Sequence, residues 1–76
     1  MKIFDNLQNG YEILKRNKIS SFKIDCEILM SQTLNITREE LILNLEREIN
    51  DKEKEKYFDF INRRKKNEPI AYIINN

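Results

Sequence analysis

Residues 20–41 read SSFKIDCEILMSQTLNITREEL, and this stretch decides the fold. Ser20 or Ser21 is the expected N-cap of a helix, because a serine oxygen accepts from free backbone N–H groups. Asp25 and Glu27 follow early, where the helix dipole favours anions. Phe22, Cys26, Leu29 and Met30 then draw an apolar stripe at helical spacing, widened by Ile28 and Leu34. Asn35 is the natural stop, since asparagine tolerates the left-handed conformation that ends helices. Thr37-Arg38-Glu39-Glu40 is a capping box that starts the next helix, with Thr37 as N-cap and Glu40 reaching back. The SxxK match at Ser20–Lys23 resembles an acyl-transfer motif only in form; its partner motifs are absent, and helix capping explains it.

Reading outward, the same helical spacing continues. Phe4, Leu7, Tyr11 and Leu14 predict a helix over Ile3–Asn17. Asn9-Gly10 interrupts it, and a weak helix or a close approach by a neighbouring helix is favoured over a hinge as the reason for the glycine. A short helix over Arg38–Leu45 should turn Leu41, Ile42 and Leu45 inward. Asn50-Asp51-Lys52-Glu53 is a second box-like start, for a helix over Asp51–Lys66. Tyr57, Phe58, Phe60 and Ile61 supply its apolar face, and Asp59 with Arg63 fits an i, i+4 ion pair. Arg63-Arg64-Lys65-Lys66 suits the negative end of that helix. Asn67 should cap it, and Pro69 prevents simple continuation while pushing Glu68 toward extended geometry. Ile70–Ile74 is apolar, and its length fits a short helix or a strand. The expected fold is all-α, a small bundle of four to five helices. Its core should include Leu7, Leu14, Phe22, Cys26, Leu29, Leu41, Phe58 and Ile61. Residues 1–67 form the bundle, and 68–76 begin a linker.

Composition limits the chemistry. The 76 residues are 39% hydrophobic and 36% charged, which suits a thin core. There is no histidine, so the commonest general base and zinc ligand is missing. The one cysteine, Cys26, makes neither an internal disulfide nor a metal site, and a reducing compartment fits it. One glycine, Gly10, excludes every Gly-rich phosphate loop within these residues. No apolar run follows the N-terminus, so neither a leader nor a membrane span is expected, and the cytoplasm is the expected compartment. Net charge is +1, distributed as +2 over 1–19, −3 over 20–48 and +2 over 49–76. That dipolar pattern suits a partner steered by charge.

Three stretches, in order, resemble one family. Asp25-Cys26-Glu27-Ile28-Leu29-Met30 is similar to a D-A-E-[IL]-L-L segment. Leu34-Asn35-Ile36-Thr37-Arg38-Glu39-Glu40-Leu41 is similar to an L-G-[VI]-[ST]-R-x-x-L turn. Residues 63–73, from Arg63 to Ile73, resemble R-R-x-x-G-E-P-[IL]-A-Y-[IL]. Together they resemble the N-terminal domain of the release-factor glutamine methyltransferases, the PrmC or HemK family. Asn35 and Asn67 stand where that family usually has glycine, and Cys26 where it has alanine.

The resemblance implies a helical bundle joined by a hairpin to a methyltransferase domain. That second domain binds S-adenosylmethionine, carries an N-P-P-Y motif and methylates the glutamine amide of a G-G-Q tripeptide in peptide-chain release factors. None of that machinery is in this sequence, so no catalytic or cofactor-binding residue is carried over. The implied partners are a release factor and the parent's own methyltransferase domain, with no membrane and no metal. Arg63, Arg64, Lys65, Glu68, Pro69 and Tyr72 are the candidates for substrate docking or interdomain contact. Two other readings compete. One is a helix-turn-helix nucleic-acid binder, disfavoured because Glu39, Glu40, Glu46 and Glu48 surround its recognition helix and repel phosphate. The other is a purely structural helical module.

Overall fold

A computed structural model describes residues 1–75; Asn76, the end of the expected linker, lies outside the described residues. Five helices follow in order: α1 (Ile3–Arg16), α2 (Phe22–Leu34), α3 (Arg38–Leu43), α4 (Asp51–Lys65) and α5 (Ile70–Ile74). The fold is all-α. The segment left open between helix and strand is the helix α5.

Helix α2 is central. It packs against α1, α3, α4 and α5, and it contributes Cys26, Leu29 and Met30 to the core. Around it close Ile3, Leu7 and Leu14 of α1, Leu41 of α3, Tyr57 and Ile61 of α4, and Ile73 of α5. Ile19 and Ile49, in the connections, complete it. Phe22 and Phe58 reach only the margin, half-buried, where Phe22 meets Tyr11 edge-on and Phe58 meets Tyr57.

Local chemistry sets most helix ends. Thr37 and Glu40 exchange the two bonds of a capping box, each 3.0 Å, and Asn50 and Glu53 do the same at 2.8 and 3.0 Å. Three helices stop at a left-handed residue: Lys18 (φ 63°), Asn35 (φ 56°) and Asn67 (φ 73°). The residue after each donates its N–H five residues back. Ile19 bonds Leu14 O, Ile36 bonds Ser31 O and Glu68 bonds Arg63 O, at 3.0, 3.1 and 3.3 Å. These are Schellman-type endings.

Besides Phe22 and Phe58, expected in the core and found at its margin, four expectations are corrected. Ser21 precedes α2 but makes no capping bond; its backbone is not extended, and its hydroxyl instead donates to Asp25 at 2.8 Å. Phe4 is exposed, and the buried stripe of α1 is Ile3, Leu7, Gly10 and Leu14. The cause is the chain before α1. It pairs with the α3–α4 connection through Ile3 N–H to Arg47 O (2.8 Å) and Ile49 N–H to Met1 O (3.0 Å), which fixes how α1 is rotated. Ile42 is also exposed, because α3 ends at Leu43 and shows the core only Leu41. Arg63, finally, pairs with Glu68 in place of Asp59.

Gly10 lies in mid-helix for a packing reason. A Cβ there would overlap the hydroxyl of Tyr57 and sit 3.1 Å from Cys26 Sγ. The glycine lets α4 drive its largest buried side chain against the backbone of α1.

Candidate functional site

The candidate residues gather where α4 stops. Its last turn is Arg63, Arg64 and Lys65, cations placed against the exposed carbonyls of the helix end. Asn67 then turns left-handed and Glu68 follows. Pro69 takes φ −60° and ψ 141° and serves as N-cap of α5.

Two consecutive arginines hold Glu68 in different ways. Arg63 grips its side chain: Nε donates to Oε1 at 3.0 Å and Nη2 donates to Oε2. This fork-to-fork geometry is the strong form of the charge-assisted bond. The guanidinium holds the Glu68 carboxyl below its ordinary value of 4.5, chiefly through the hydrogen bond, and Arg63 is raised in turn. Arg64 grips the backbone: Nη1 donates to the Glu68 carbonyl at 3.1 Å and to Asn67 Oδ1 at 3.4 Å. Its Nε donates to Asp25 Oδ2 at 2.9 Å. The Arg64–Asp25 pair is nearly closed to water, with side chains 15% and 7% exposed.

Asp25 is the residue that sequence reading missed in this role. In the sequence it is an anion suited to a helix start. The available signal is its register: Asp25 is four residues before Leu29, on the buried face of the central helix. A carboxylate there needs a hydrogen-bonded cation, and the sequence offers its arginines far away.

Of the six candidates, the structure joins Arg63, Arg64 and Glu68 into one internal cluster. Lys65 is half-buried beside it. Pro69 and Tyr72 face outward, Tyr72 with 67% of its surface exposed, while Ile73 of the same turn is fully buried. The helix α5 is thus anchored from within and displays Ala71 and Tyr72.

A second polar link lies across the bundle. Glu27 accepts from Tyr11 Oη at 3.4 Å and from Arg38 Nη2 at 2.8 Å, tying α1 and α3 to α2. Burial, and then the nearby Glu27 charge, push the Tyr11 phenol up to about 12. The outer side of α3 bears an open cleft of about 320 Å³ lined by Arg38, Glu39 and Ile42. One cation, one anion and one apolar side chain specify no chemistry. The α2–α3 pair also makes a poor nucleic-acid reader, since α3 has six residues and places Glu39 and Glu40 in its exposed first turn. No helix is long and apolar enough to cross a membrane, and no group of three potential metal ligands occurs among the described residues.

Comparison with known proteins bears on the same segment. A profile of the PrmC N-terminal domain matches residues 5–74. The chain is 44% identical over 73 residues to a release factor glutamine methyltransferase of Clostridium acetobutylicum, covering 96% of this chain and 26% of that protein. It is 43% identical over 67 residues to the one of Leptospira interrogans, covering 88% and 23%. It is 37% identical over 68 residues to a bifunctional methyltransferase of Rickettsia felis, covering 90% and 13%. No solved structure gives a significant match. The chain therefore spans about a quarter of the length of the release factor glutamine methyltransferases it matches.

Proposed function

Because the chain belongs to the PrmC N-terminal domain family, we propose that it is the substrate-docking domain of a release factor glutamine methyltransferase. In the parent enzyme a methyl group passes from S-adenosylmethionine to the amide nitrogen of a glutamine in the G-G-Q tripeptide of a release factor. The bundle helps hold the release factor and performs no chemistry. The family match over residues 5–74 carries this reading.

The residues of this chain do not fit the cofactor. Its one glycine lies inside α1, and the Tyr57 hydroxyl fills the space beside it, so Gly10 belongs to no nucleotide-cradling loop. We therefore place the cofactor in the remaining three quarters of the parent. Segment 68–76 begins the link to that part, and the parent works in the cytoplasm, where release factors act. Pro69 restricts the directions in which the chain leaves α4. Ile70 and Ile73 anchor the exit, and Tyr72 presents an exposed ring to the methyltransferase domain.

The test uses the parent enzyme. Pro69→Gly with Tyr72→Ala should lower kcat/KM for an intact release factor while leaving activity on a short G-G-Q peptide unchanged, since only the large substrate spans both domains. Equal losses on both substrates, with the fold verified, would show that the segment supports the active site and would overturn the docking role.

A further inference from the structure

Three helices of this bundle end in the same backbone motif, but one ending is held differently. After α1 and α2 the residue following the left-handed position is isoleucine, Ile19 or Ile36, and both pack on the core. That is the usual hydrophobic contact of a Schellman ending. After α4 the equivalent residue is Glu68, a carboxylate, which cannot make that contact. The ending is held by charge: Arg63 on the Glu68 side chain, Arg64 on its carbonyl, and Asp25 of α2 behind Arg64.

We propose that Asp25 and Arg64 form a latch that fixes the direction of α5, and that Asp25 is thereby a positioning residue for the face α5 presents. The proposal rests on the docking role argued above for the meaning of that face, but not for the latch itself. The geometry is specific to arginine. One rigid guanidinium donates Nε to Asp25 in α2 and Nη1 to the carbonyl of Glu68, so α2 and the α4–α5 turn share one planar group. Ser21 adds a third element, its hydroxyl donating to the same Asp25 Oδ2 at 2.8 Å. The carbonyl so held belongs to the residue just before Pro69, and the Pro69 carbonyl accepts the amides of Tyr72 and Ile73 at 3.1 and 3.3 Å. Orientation thus passes from Asp25 through Arg64 and Glu68 to the first turn of α5. A helix of five residues does not hold its shape alone, so its direction depends on such fixings.

Amide hydrogen exchange on this chain tests the latch without any partner. Arg64→Lys keeps the cation but loses the fixed planar spacing between the donors to Asp25 and to the Glu68 carbonyl. The double variant Asp25→Asn with Arg64→Gln also removes the risk of an unpaired buried charge. In both, exchange at Tyr72 and Ile73 should quicken at least tenfold relative to Leu29 and Ile61. An unchanged ratio in both variants would overturn the latch. So would equal acceleration at all four amides, which would mean that the pair supports the whole bundle and not α5. In the parent enzyme, Arg64→Lys should raise KM for the intact release factor severalfold, with kcat and short-peptide kinetics unchanged. Faster α5 exchange with an unmoved KM would leave the latch standing and overturn the positioning role.

Discussion

The hydroxyl of Tyr57 in α4 occupies the place where a side chain at position 10 of α1 would begin. Gly10 and Tyr57 are both buried, and the phenol lies beside the Cys26 thiol of α2, so three helices meet at one point. Among the described residues the Tyr57 hydroxyl finds no partner of ordinary hydrogen-bond geometry. The glycine has been spent on shape: it forgoes about 1 kcal/mol of helix propensity relative to alanine and gains the packing of an aromatic ring.

Gly10→Ala should therefore destabilise the bundle despite its better helix propensity, by about 1–3 kcal/mol, the usual range for an overpacked core. Tyr57→Phe removes the overlapping oxygen and should recover much of that loss in the double variant, although the ring carbon Cζ remains 3.1 Å from the new methyl. Urea denaturation of the four members of the cycle measures the coupling. Additive effects would show that the two residues do not compete for this space.

Lys18 is the least suited of the three left-handed residues, because a lysine Cβ crowds the carbonyl that follows it. Its side chain is exposed. Lys18→Gly should stabilise the chain by about 1 kcal/mol, the scale of that strain. The same change at Asn35 or Asn67 should give less, since asparagine tolerates the conformation. Thermal melts of the three variants rank them, and a loss of stability in Lys18→Gly would contradict the ordering.

The features legible in the sequence are those whose partners lie within a few residues. The boxes at Thr37–Glu40 and Asn50–Glu53, and the stops at Asn35 and Asn67, follow from short-range chemistry, and the structure contains all four. Lys18 gives no such signal, because nothing local marks a lysine for the left-handed region. The outward turn of Phe4 depends on backbone pairing with Leu45 and Arg47, over forty residues away. At the candidate site, the cationic end of α4 and the stop at Pro69 were readable from the residues themselves. The engagement of Arg64 with Asp25 was not, since the two are 39 positions apart and each has a sufficient local explanation.

Cys26 should be inert in the folded chain. Burial pushes its thiol up to about 12 from an ordinary 9.0, so the reactive thiolate is scarce at neutral pH. A group whose folded value is raised this way favours folding below its ordinary value. That contribution is lost as pH climbs from about 9 toward 12. Labelling with a disulfide reagent at pH 8 should be slow in buffer and fast in urea. Rapid labelling without denaturant would mean that α2 opens locally.

Acid should loosen α5 before it unfolds the bundle. Glu68 is held below its ordinary 4.5 by the Arg63 fork, so its contribution to folding is fully present above that value. It is lost as pH falls through the lowered folded value, where the carboxyl takes up a proton and the fork loses its acceptor charge. Of the cations near the turn, Arg63 pairs with Glu68 itself, while Arg64 is paired with Asp25. The side-chain hold on the α4–α5 turn therefore weakens in acid. The apolar contacts of Leu29, Leu41 and Ile61 carry no titrating group and should persist longer. A fluorine label on Tyr72 should report a transition at higher pH than far-ultraviolet circular dichroism, which reads all five helices. Glu68→Gln should remove that early transition from the label, because the amide takes up no proton in this range. Coincident transitions by the two probes, unchanged in Glu68→Gln, would show that α5 leaves the bundle only when the whole core opens, and that the charge cluster does not set its hold.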